Sequence, residues 1–156
     1  MPLFYQTLQA GYEKAIPTKA IKDGLEVSRE FLDANGGKLS KITVGDTITV
    51  KISFRSTKGT LTNIAMVDMS PAGFETEIQS IRNAKIGDWT PDYVDIREDR
   101  VVIYGTVKEN VQTFTYQVKA VSSGKFTVPP MFAENMYNKD IRALYPMDPI
   151  TIAPAK

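Results

Sequence analysis

Apolar and polar residues alternate along several short stretches of this chain. The most regular is Thr47–Phe54, in which every second residue is apolar. Leu25–Leu32 has the same pattern, with Leu25, Val27 and Phe31 on its apolar side. Because side chains on a β-strand point alternately to opposite faces, each stretch is predicted to be a strand with one buried face and one solvated face.

Further stretches are rich in β-branched and aromatic residues, which favour strands, and turn-forming residues separate them. They are Leu3–Tyr12, Leu61–Met69, Arg100–Val107, Thr113–Val121, Lys125–Val128 and Ile150–Ala153. Leu61–Met69 is more uniformly apolar than Thr47–Phe54, which indicates a central position or cover on both faces. About eight strands at this spacing predict an all-β, mainly antiparallel sandwich.

One short helix interrupts the strand pattern and is predicted around Glu75–Lys85. Ile78 and Ile81 would lie on the same face of this helix. Its acidic residues come early, and Arg82 and Lys85 come late, which suits the helix dipole. We therefore expect a β-sandwich with a single inserted helix.

The dipeptide Pro129-Pro130 is expected to end the strand before it, because proline has no N–H to donate to a ladder. The following residues are predicted to form a loop that carries Met131, Met136 and Tyr137, with Ala133–Leu144 irregular or a single turn. Methionine and tyrosine are adaptable contact residues that are enriched at interfaces. Such a loop either closes the sandwich core or presents a contact surface, and for Met136 and Tyr137 the pattern leaves both open.

The 156 residues suffice for one domain with a sizeable core. We interpret residues 21–156 as that domain and residues 1–20 as a leading strand and linker. Met1-Pro2, ahead of strand-like residues, is typical of a start codon added to a cut-out fragment. The net charge of +1 comes from 19 basic and 18 acidic residues that form no blocks. This distribution argues against a nucleic-acid partner and against contact with a membrane surface.

The chain contains neither cysteine nor histidine. Without cysteine there is no disulfide, no thiolate nucleophile and no zinc–thiolate site. Without histidine the commonest general base and the commonest transition-metal ligand are missing. We therefore expect the protein not to be an enzyme and to use no metal or other cofactor.

An acidic cluster supplies the one enzyme hypothesis. The cluster comprises Asp92, Asp95, Glu98 and Asp99, with Arg97 and Arg100 interleaved. Two carboxylates can hydrolyse a glycosidic bond without histidine, and clustered carboxylates can bind calcium. The interleaved arginines, and the absence of the glycine that a calcium loop requires, favour a solvated turn.

The single tryptophan, Trp89, supplies a binding hypothesis. It is followed by Thr90-Pro91 and would be able to stack on a sugar ring. A lone tryptophan more often caps the end of a sandwich core. The alternative function is therefore a stand-alone carbohydrate- or protein-binding module centred on Trp89 and the tyrosines.

Five sequence blocks occur in order along residues 20–153. They are Gly24–Glu30 (GLEVSRE), Val67–Glu75 (VDMSPAGFE), Val94–Arg100 (VDIREDR), Gly124–Pro130 (GKFTVPP) and Ala133–Tyr137 (AENMY). Together they resemble the last, C-terminal macroglobulin-like domain of bacterial alpha-2-macroglobulins. The resemblance implies a macroglobulin-like β-sandwich with one inserted helix, similar in plan to the receptor-binding domain of the animal proteins.

The resemblance also implies a role within a much larger chain. As a member of this family, the full-length protein would be a broad-spectrum protease trap of the periplasm. It would be anchored to the inner membrane by an N-terminal lipid. This domain would be non-catalytic, with the thioester-bearing and neighbouring domains of the same chain as its partners. Target proteases would be only indirect partners of this domain. Leu3–Tyr12 would then be the exit strand from the preceding domain.

In the thioester class of this family, a loop of the last domain shields the reactive bond from water. The resemblance carries this latch role over to Met136 and Tyr137. The supporting positions would be Pro129, Pro130, Met131 and Asn135. Bulky side chains can exclude water from a reactive acyl bond without ionising.

Overall fold

The computed structural model describes residues 2–11, 15–82 and 89–155. These residues form thirteen β-strands and one short helix. In chain order the elements are β1 (Ile21–Asp23), β2 (Leu25–Leu32), β3 (Ile42–Thr43), β4 (Thr47–Ser56), β5 (Leu61–Met69), β6 (Phe74–Thr76), α1 (Ile78–Arg82), β7 (Tyr93–Ile96), β8 (Arg100–Val107), β9 (Gln112–Ala120), β10 (Gly124–Phe126), β11 (Met131–Asn135), β12 (Arg142–Tyr145) and β13 (Ile150–Ala153). Within the described ranges, no helix is long and apolar enough to cross a membrane.

The strands form three sheets. A six-stranded sheet has the order β1-β12-β11-β5-β8-β7, a four-stranded sheet the order β2-β4-β9-β6, and a three-stranded sheet the order β10-β13-β3. Neighbouring strands are antiparallel except β13 and β3, which pair in parallel. The two larger sheets contribute to one hydrophobic core. The predicted all-β, mainly antiparallel sandwich is confirmed.

The alternation of apolar residues determines which faces are buried. In β4, Ile48, Val50, Ile52 and Phe54 are all buried, and the side chains between them are at least partly exposed. β2 pairs with one side of β4 and β9 with the other, so that β4 lies inside its sheet. The uniformly apolar β5 lies between β11 and β8, in the central position that its composition predicts.

A buried ion pair joins the two large sheets. Arg29 of β2 has only 1% of its surface exposed, and its Nη1 contacts a carboxylate oxygen of Asp68 in β5. Tyr116 of β9 donates its hydroxyl hydrogen to the other carboxylate oxygen of Asp68, at 2.8 Å. Arg29 Nη2 donates to the backbone carbonyl of Pro129, at 2.5 Å. One guanidinium therefore connects both sheets and the segment that leads into β11.

Burial makes each member of this group depend on the others. Burial raises the pKa of Asp68, while the positive charge of Arg29 and the Tyr116 hydroxyl oppose that rise by stabilising the carboxylate. Burial, together with the neighbouring Asp68, also raises the pKa of Tyr116 well above its usual value. A charge left in this position without its partner costs far more than a surface charge does, because water cannot solvate it.

One sequence prediction about local structure is wrong, and another is confirmed with narrower bounds. Residues 3–11 of the predicted strand Leu3–Tyr12 lie in no strand and are exposed, and Tyr12 lies outside the described residues. The helix predicted over Glu75–Lys85 is shorter, because Glu75 and Thr76 pair with β9 as part of β6. The helical residues are Ile78–Arg82, and positions 83–85 lie outside the described residues.

The prediction of a loop after Pro129-Pro130 is also wrong. Met131–Asn135 forms β11, and Arg142–Tyr145 forms β12, so that only the residues between them make a turn. The prolines lack N–H donors themselves, but the chain resumes its ladder at the next residue. The described residues contain thirteen strands where about eight were predicted, because strands of two to five residues show too few alternating positions.

The buried ion pair generates a stability prediction. Replacing Arg29 by methionine (Arg29→Met) leaves the Asp68 carboxylate buried without its counter-charge and should lower the free energy of unfolding by about 3–5 kcal/mol. Urea denaturation followed by circular dichroism measures this change. Arg55→Met is the matched control, because Arg55 forms an exposed ion pair with Glu26 at 2.6 Å. The control should lose less than about 1 kcal/mol. Equal losses in the two variants would contradict a structural role for the buried pair.

Candidate functional site

The candidate site is the tip of the hairpin that β11 and β12 form. The two strands pair from Met131 opposite Tyr145 to Glu134 opposite Arg142, and residues 136–141 connect them. The other edge of β11 pairs with β5, where Asn135 lies opposite Ile64. The backbone N–H of Met136 donates to the carbonyl of Asn63, at 3.0 Å. The sheet therefore supports the hairpin up to the first residue of its tip.

The side chain of Asn135 fixes the shape of the tip. Its Oδ1 accepts hydrogen bonds from the backbone N–H groups of Tyr137 and Asn138, both at 3.0 Å. Its Nδ2 donates to the carbonyl of Thr62 in β5, at 2.8 Å. Asn138 closes the turn, because its carbonyl accepts from the N–H of Ile141, at 3.1 Å. Side-chain oxygens that satisfy nearby backbone donors hold turns of this kind in one conformation.

Tyr137 is exposed although its backbone is held. The exposed fraction is 82% for Tyr137 and 45% for Met136. The turn thus presents an aromatic ring and a thioether on an ordered backbone. Of the two interpretations that the sequence left open, closure of the core is therefore wrong for these two residues, and a contact surface stays a prediction.

The predicted supporting residues divide into two groups. Asn135 lies directly beneath the tip and organises it. Met131 is fully buried in the core, and Pro130 is half-buried before β11 begins. Pro129 contributes through its carbonyl, which accepts from Arg29. The structure therefore brings Asn135, Met136 and Tyr137 together and places the other three at the base of the hairpin.

An open hollow of about 510 Å³ lies beside the tip. Met136 and Asn63 line one side of it, and Tyr93 and Tyr104 line another. The two tyrosine rings are 6.0 Å apart between their centroids and are tilted by 31°. Aromatic rings at a surface bury a large area at a low cost in conformational entropy, which suits them to protein contacts. The aromatic residues at the surface near the tip therefore include Tyr93 and Tyr104 as well as Tyr137.

Sequence reasoning missed Asn63 and the two tyrosines of this surface. Asn63 has a φ of 57° and lies where the pairing of β5 with β8 changes register. Asparagine adopts this left-handed conformation more readily than most residues, so an asparagine inside an otherwise strand-like stretch was an available signal. Tyr93 and Tyr104 are eleven positions apart, and only the pairing of β7 with β8 brings them opposite each other.

The interpretation of Trp89 as a sugar platform is wrong. Trp89 is buried, and its Nε1 donates to the carbonyl of Thr106, at 2.7 Å. Its ring packs edge-to-face against Phe54, with 4.7 Å between the centroids. A Cβ atom on Gly105 would lie 2.4 Å from the indole, so that only glycine fits there. Trp89 is a core residue, as the alternative interpretation predicted.

The acidic cluster is laid out as a salt-bridged surface turn. Asp95 pairs with Arg97 at 2.9 Å, and Asp99 pairs with Arg100 at 2.5 Å. Both arginines have a raised pKa because of hydrogen bonds to their carboxylate partners. No group of three acidic, histidine or cysteine side chains within residues 2–11, 15–82 and 89–155 is arranged to hold a metal ion. The arrangement is that of a solvated turn.

The fold and the hairpin define a macroglobulin-like β-sandwich domain. The family described as Bacterial Alpha-2-macroglobulin MG10 domain matches residues 24–140. The chain belongs to this family. It is 35% identical to the alpha-2-macroglobulin homolog of Yersinia pestis, over 92% of this chain and 8% of that protein. It is 39% identical to the alpha-2-macroglobulin of Rickettsia conorii, over 86% of this chain and 8% of that protein. The chain therefore spans about one twelfth of the length of these relatives.

Solved structures of the Escherichia coli protein have the same fold. The native conformation of its alpha-2-macroglobulin superposes with a TM-score of 0.84 at 24% identity, over 92% of this chain and 10% of that chain. A native structure that spans domain MG7 to the C-terminus superposes with a TM-score of 0.81 at 25% identity, over 92% of this chain and 25% of that chain. The elastase-activated form superposes with a TM-score of 0.80 at 25% identity, over 92% of this chain and 14% of that chain.

The hydrogen bonds of Asn135 generate a second prediction. Asn135→Ala removes two acceptor contacts and one donor contact and should lower the free energy of unfolding by about 1–3 kcal/mol without unfolding the domain. The backbone amides of Tyr137 and Asn138 should exchange faster in NMR hydrogen-exchange measurements. Asn110→Ala is the control, because Asn110 lies in an exposed loop, and it should stay within about 0.5 kcal/mol of the wild type. Unchanged amide exchange at the tip would show that Asn135 does not organise it.

Proposed function

We propose that this chain is the non-catalytic C-terminal domain of a bacterial protease inhibitor, and that it shields a thioester in a neighbouring domain of the full-length protein. The observation that carries the proposal is the 82% exposed side chain of Tyr137 on a backbone that Asn135 holds in place. A large aromatic side chain on an ordered turn is suited to being covered by another surface. The proposed partner is the thioester-bearing domain in the resting state.

The geometry of the tip suits the exclusion of water. A tyrosine ring immobilised on docking gives up few rotatable bonds, so that its burial costs little entropy. Met136 next to it can adapt to an irregular partner surface. A reactive acyl bond covered in this way is protected because attack by water requires water to reach it. No ionisation and no bond-making by this domain is needed, which is why we propose a non-catalytic role.

Features of the relatives support the wider part of the proposal. The Escherichia coli protein has been solved in an elastase-activated form, which supports a response to proteases in this family. Its structure from domain MG7 to the C-terminus includes the region that matches this chain, which supports a C-terminal position. The proposal also includes a periplasmic full-length protein that an N-terminal lipid anchors to the inner membrane, which the resemblance of the sequence blocks implies.

Substitution of Tyr137 tests the shielding role. In the full-length protein, Tyr137→Ala should speed spontaneous loss of the thioester on the order of 10-fold, the effect expected when a central contact residue is truncated. The release of a free thiol, followed with a thiol reagent, measures that rate. In the 156-residue chain the same substitution should change the free energy of unfolding by less than about 0.5 kcal/mol, because the side chain is exposed.

Two control variants separate shielding from general damage. Tyr137→Phe keeps the ring and should preserve the wild-type rate of thiol release. Val121→Ala removes an exposed apolar side chain directly after the last residue of β9. It should also leave the rate of thiol release unchanged. A wild-type rate in Tyr137→Ala would overturn the proposal, and so would a full-length protein that releases no thiol under any treatment.

A further inference from the structure

The six-stranded sheet carries apolar side chains on the face that points away from the core. Alternate residues of its strands enter the core, among them Met66, Ile103, Met131 and Ala143. Their neighbours in sequence point to the opposite face, and strand pairing places these neighbours side by side in one row. From β1 to β8, the row consists of Ile21, Leu144, Phe132, Val67 and Val102. Five apolar side chains therefore cross the outer face of this sheet.

The outer face of the four-stranded sheet is polar by comparison. β4 and β9 bury their apolar residues in the same core and alternate them with polar ones. The polar residues paired across these two strands are Thr49 and Gln117, Lys51 and Thr115, and Ser53 and Thr113. An antiparallel sheet with one solvated face has this composition. The six-stranded sheet has apolar residues at the equivalent positions, so its outer face differs from a solvated one.

The sequences of the central strands are those of strands covered on both faces. The uniform apolar composition of Leu61–Met69 predicts cover on both faces or a central position, and β8 contains the uninterrupted run Val101–Tyr104. The described parts of this chain cover only the core side, because no member of the outer row belongs to the core. Val67, Phe132 and Leu144 keep part of their surface accessible. The second cover is therefore expected from outside this chain.

A second row connects this apolar row to the hairpin tip. From β1 to β7, it consists of Asp23, Arg142, Glu134, Ala65, Tyr104 and Tyr93. Its two tyrosines line the same hollow as Met136. Asp23 pairs with Arg142 at 3.1 Å, whereas Glu134 forms no ion pair within residues 2–11, 15–82 and 89–155. The outer face thus has an apolar centre, and a carboxylate with no described counter-charge lies at its border.

The tip alone is too small to hold another domain. A specific interface buries roughly 800 Å² on each partner. A buried aromatic side chain contributes roughly 150–250 Å² of that area. Tyr137 and Met136 would therefore supply only a fraction of the required contact. The apolar row lies on the same sheet as the hairpin and offers the additional area.

We propose that the outer face of the six-stranded sheet is the principal docking surface for a neighbouring domain of the full-length protein. That domain presents an apolar surface with a basic side chain opposite Glu134. The relatives are about twelve times longer than the part that this chain matches, so that ample chain lies outside it to supply the partner. An apolar centre with a polar border is the usual composition of such an interface. The proposal rests on the docked neighbour of the proposed function, but it does not require a thioester.

Single cysteines measure the cover directly, because this chain has no cysteine of its own. Leu144→Cys places a thiol in the apolar row, and Thr115→Cys places one on the outer face of the four-stranded sheet. Each variant is labelled with a maleimide in the 156-residue chain and in the resting full-length protein, and mass spectrometry locates the label. Labelling of Leu144→Cys should be on the order of 10-fold slower in the full-length protein, because the reagent reaches the row only when the neighbour is undocked. Labelling of Thr115→Cys should be the same in both forms.

A charge reversal tests the predicted chemistry of the partner. In the full-length protein, Glu134→Lys added to Leu144→Cys should return labelling to within about 2-fold of the rate in the 156-residue chain, because like charges in an interface oppose docking. Glu109→Lys makes the same change of charge in an exposed loop and should preserve the protection. Protection that persists in Glu134→Lys would overturn the assignment of a basic side chain to the partner.

Three results would overturn the docking surface itself. They are equal labelling of Leu144→Cys in both forms, equal slowing of Leu144→Cys and Thr115→Cys, and protection in the 156-residue chain that grows with its concentration. The last result would show that a second copy of the chain covers the face. Failure of the shielding proposal is distinguishable, because Tyr137→Ala would then leave thiol release unchanged while Leu144→Cys stayed protected. Faster thiol release in Tyr137→Ala with an unprotected Leu144→Cys would contradict only the docking surface.

Discussion

The architecture of this domain depends on the buried pair of Arg29 and Asp68. The pair bridges the two large sheets. Tyr116 donates to Asp68, and Arg29 also donates to the carbonyls of Pro129 and Met69 and to the sulfur of Met147. A buried charge is tolerated only when its partners are in place, so this group penalises any packing that separates the sheets. Because Pro129 precedes β11, the same group fixes where the β11–β12 hairpin begins.

The buried and the exposed residues of the hairpin have different roles. Met131 anchors its base in the core, pairing with β5 supports its length, and Asn135 shapes its tip. The backbones of Met136 and Tyr137 are held by hydrogen bonds, while their side chains remain exposed in this chain. A preorganised tip loses little conformational freedom when another surface covers it, so more of the contact energy goes into binding.

Alternating patterns predicted the strands of the core correctly, whereas features that depend on distant partners were missed. Alternation was sufficient for Leu25–Leu32 and for most of β4, because one face of each is buried. Arg29 escaped notice because charged residues are rarely buried, although its place on the apolar face of β2 was a signal, as was Asp68 within the apolar β5. β11 was missed because Pro129-Pro130 was interpreted as ending strand pairing for the residues that follow as well. Met136 and Tyr137 were candidates because of their residue types, their predicted latch role came from the resemblance to a family, and their exposure is seen only in the structure.

Tyr137 is exposed in this chain, and we propose that another domain of the full-length protein covers it. Nitration of tyrosines, located by mass spectrometry, measures its accessibility directly in the 156-residue chain and in the resting full-length protein. We expect rapid modification of Tyr137 in the isolated chain, modification on the order of 10-fold slower in the resting protein, and recovery of the faster rate after cleavage by a protease. Equal rates in the isolated chain and in the resting protein would contradict it.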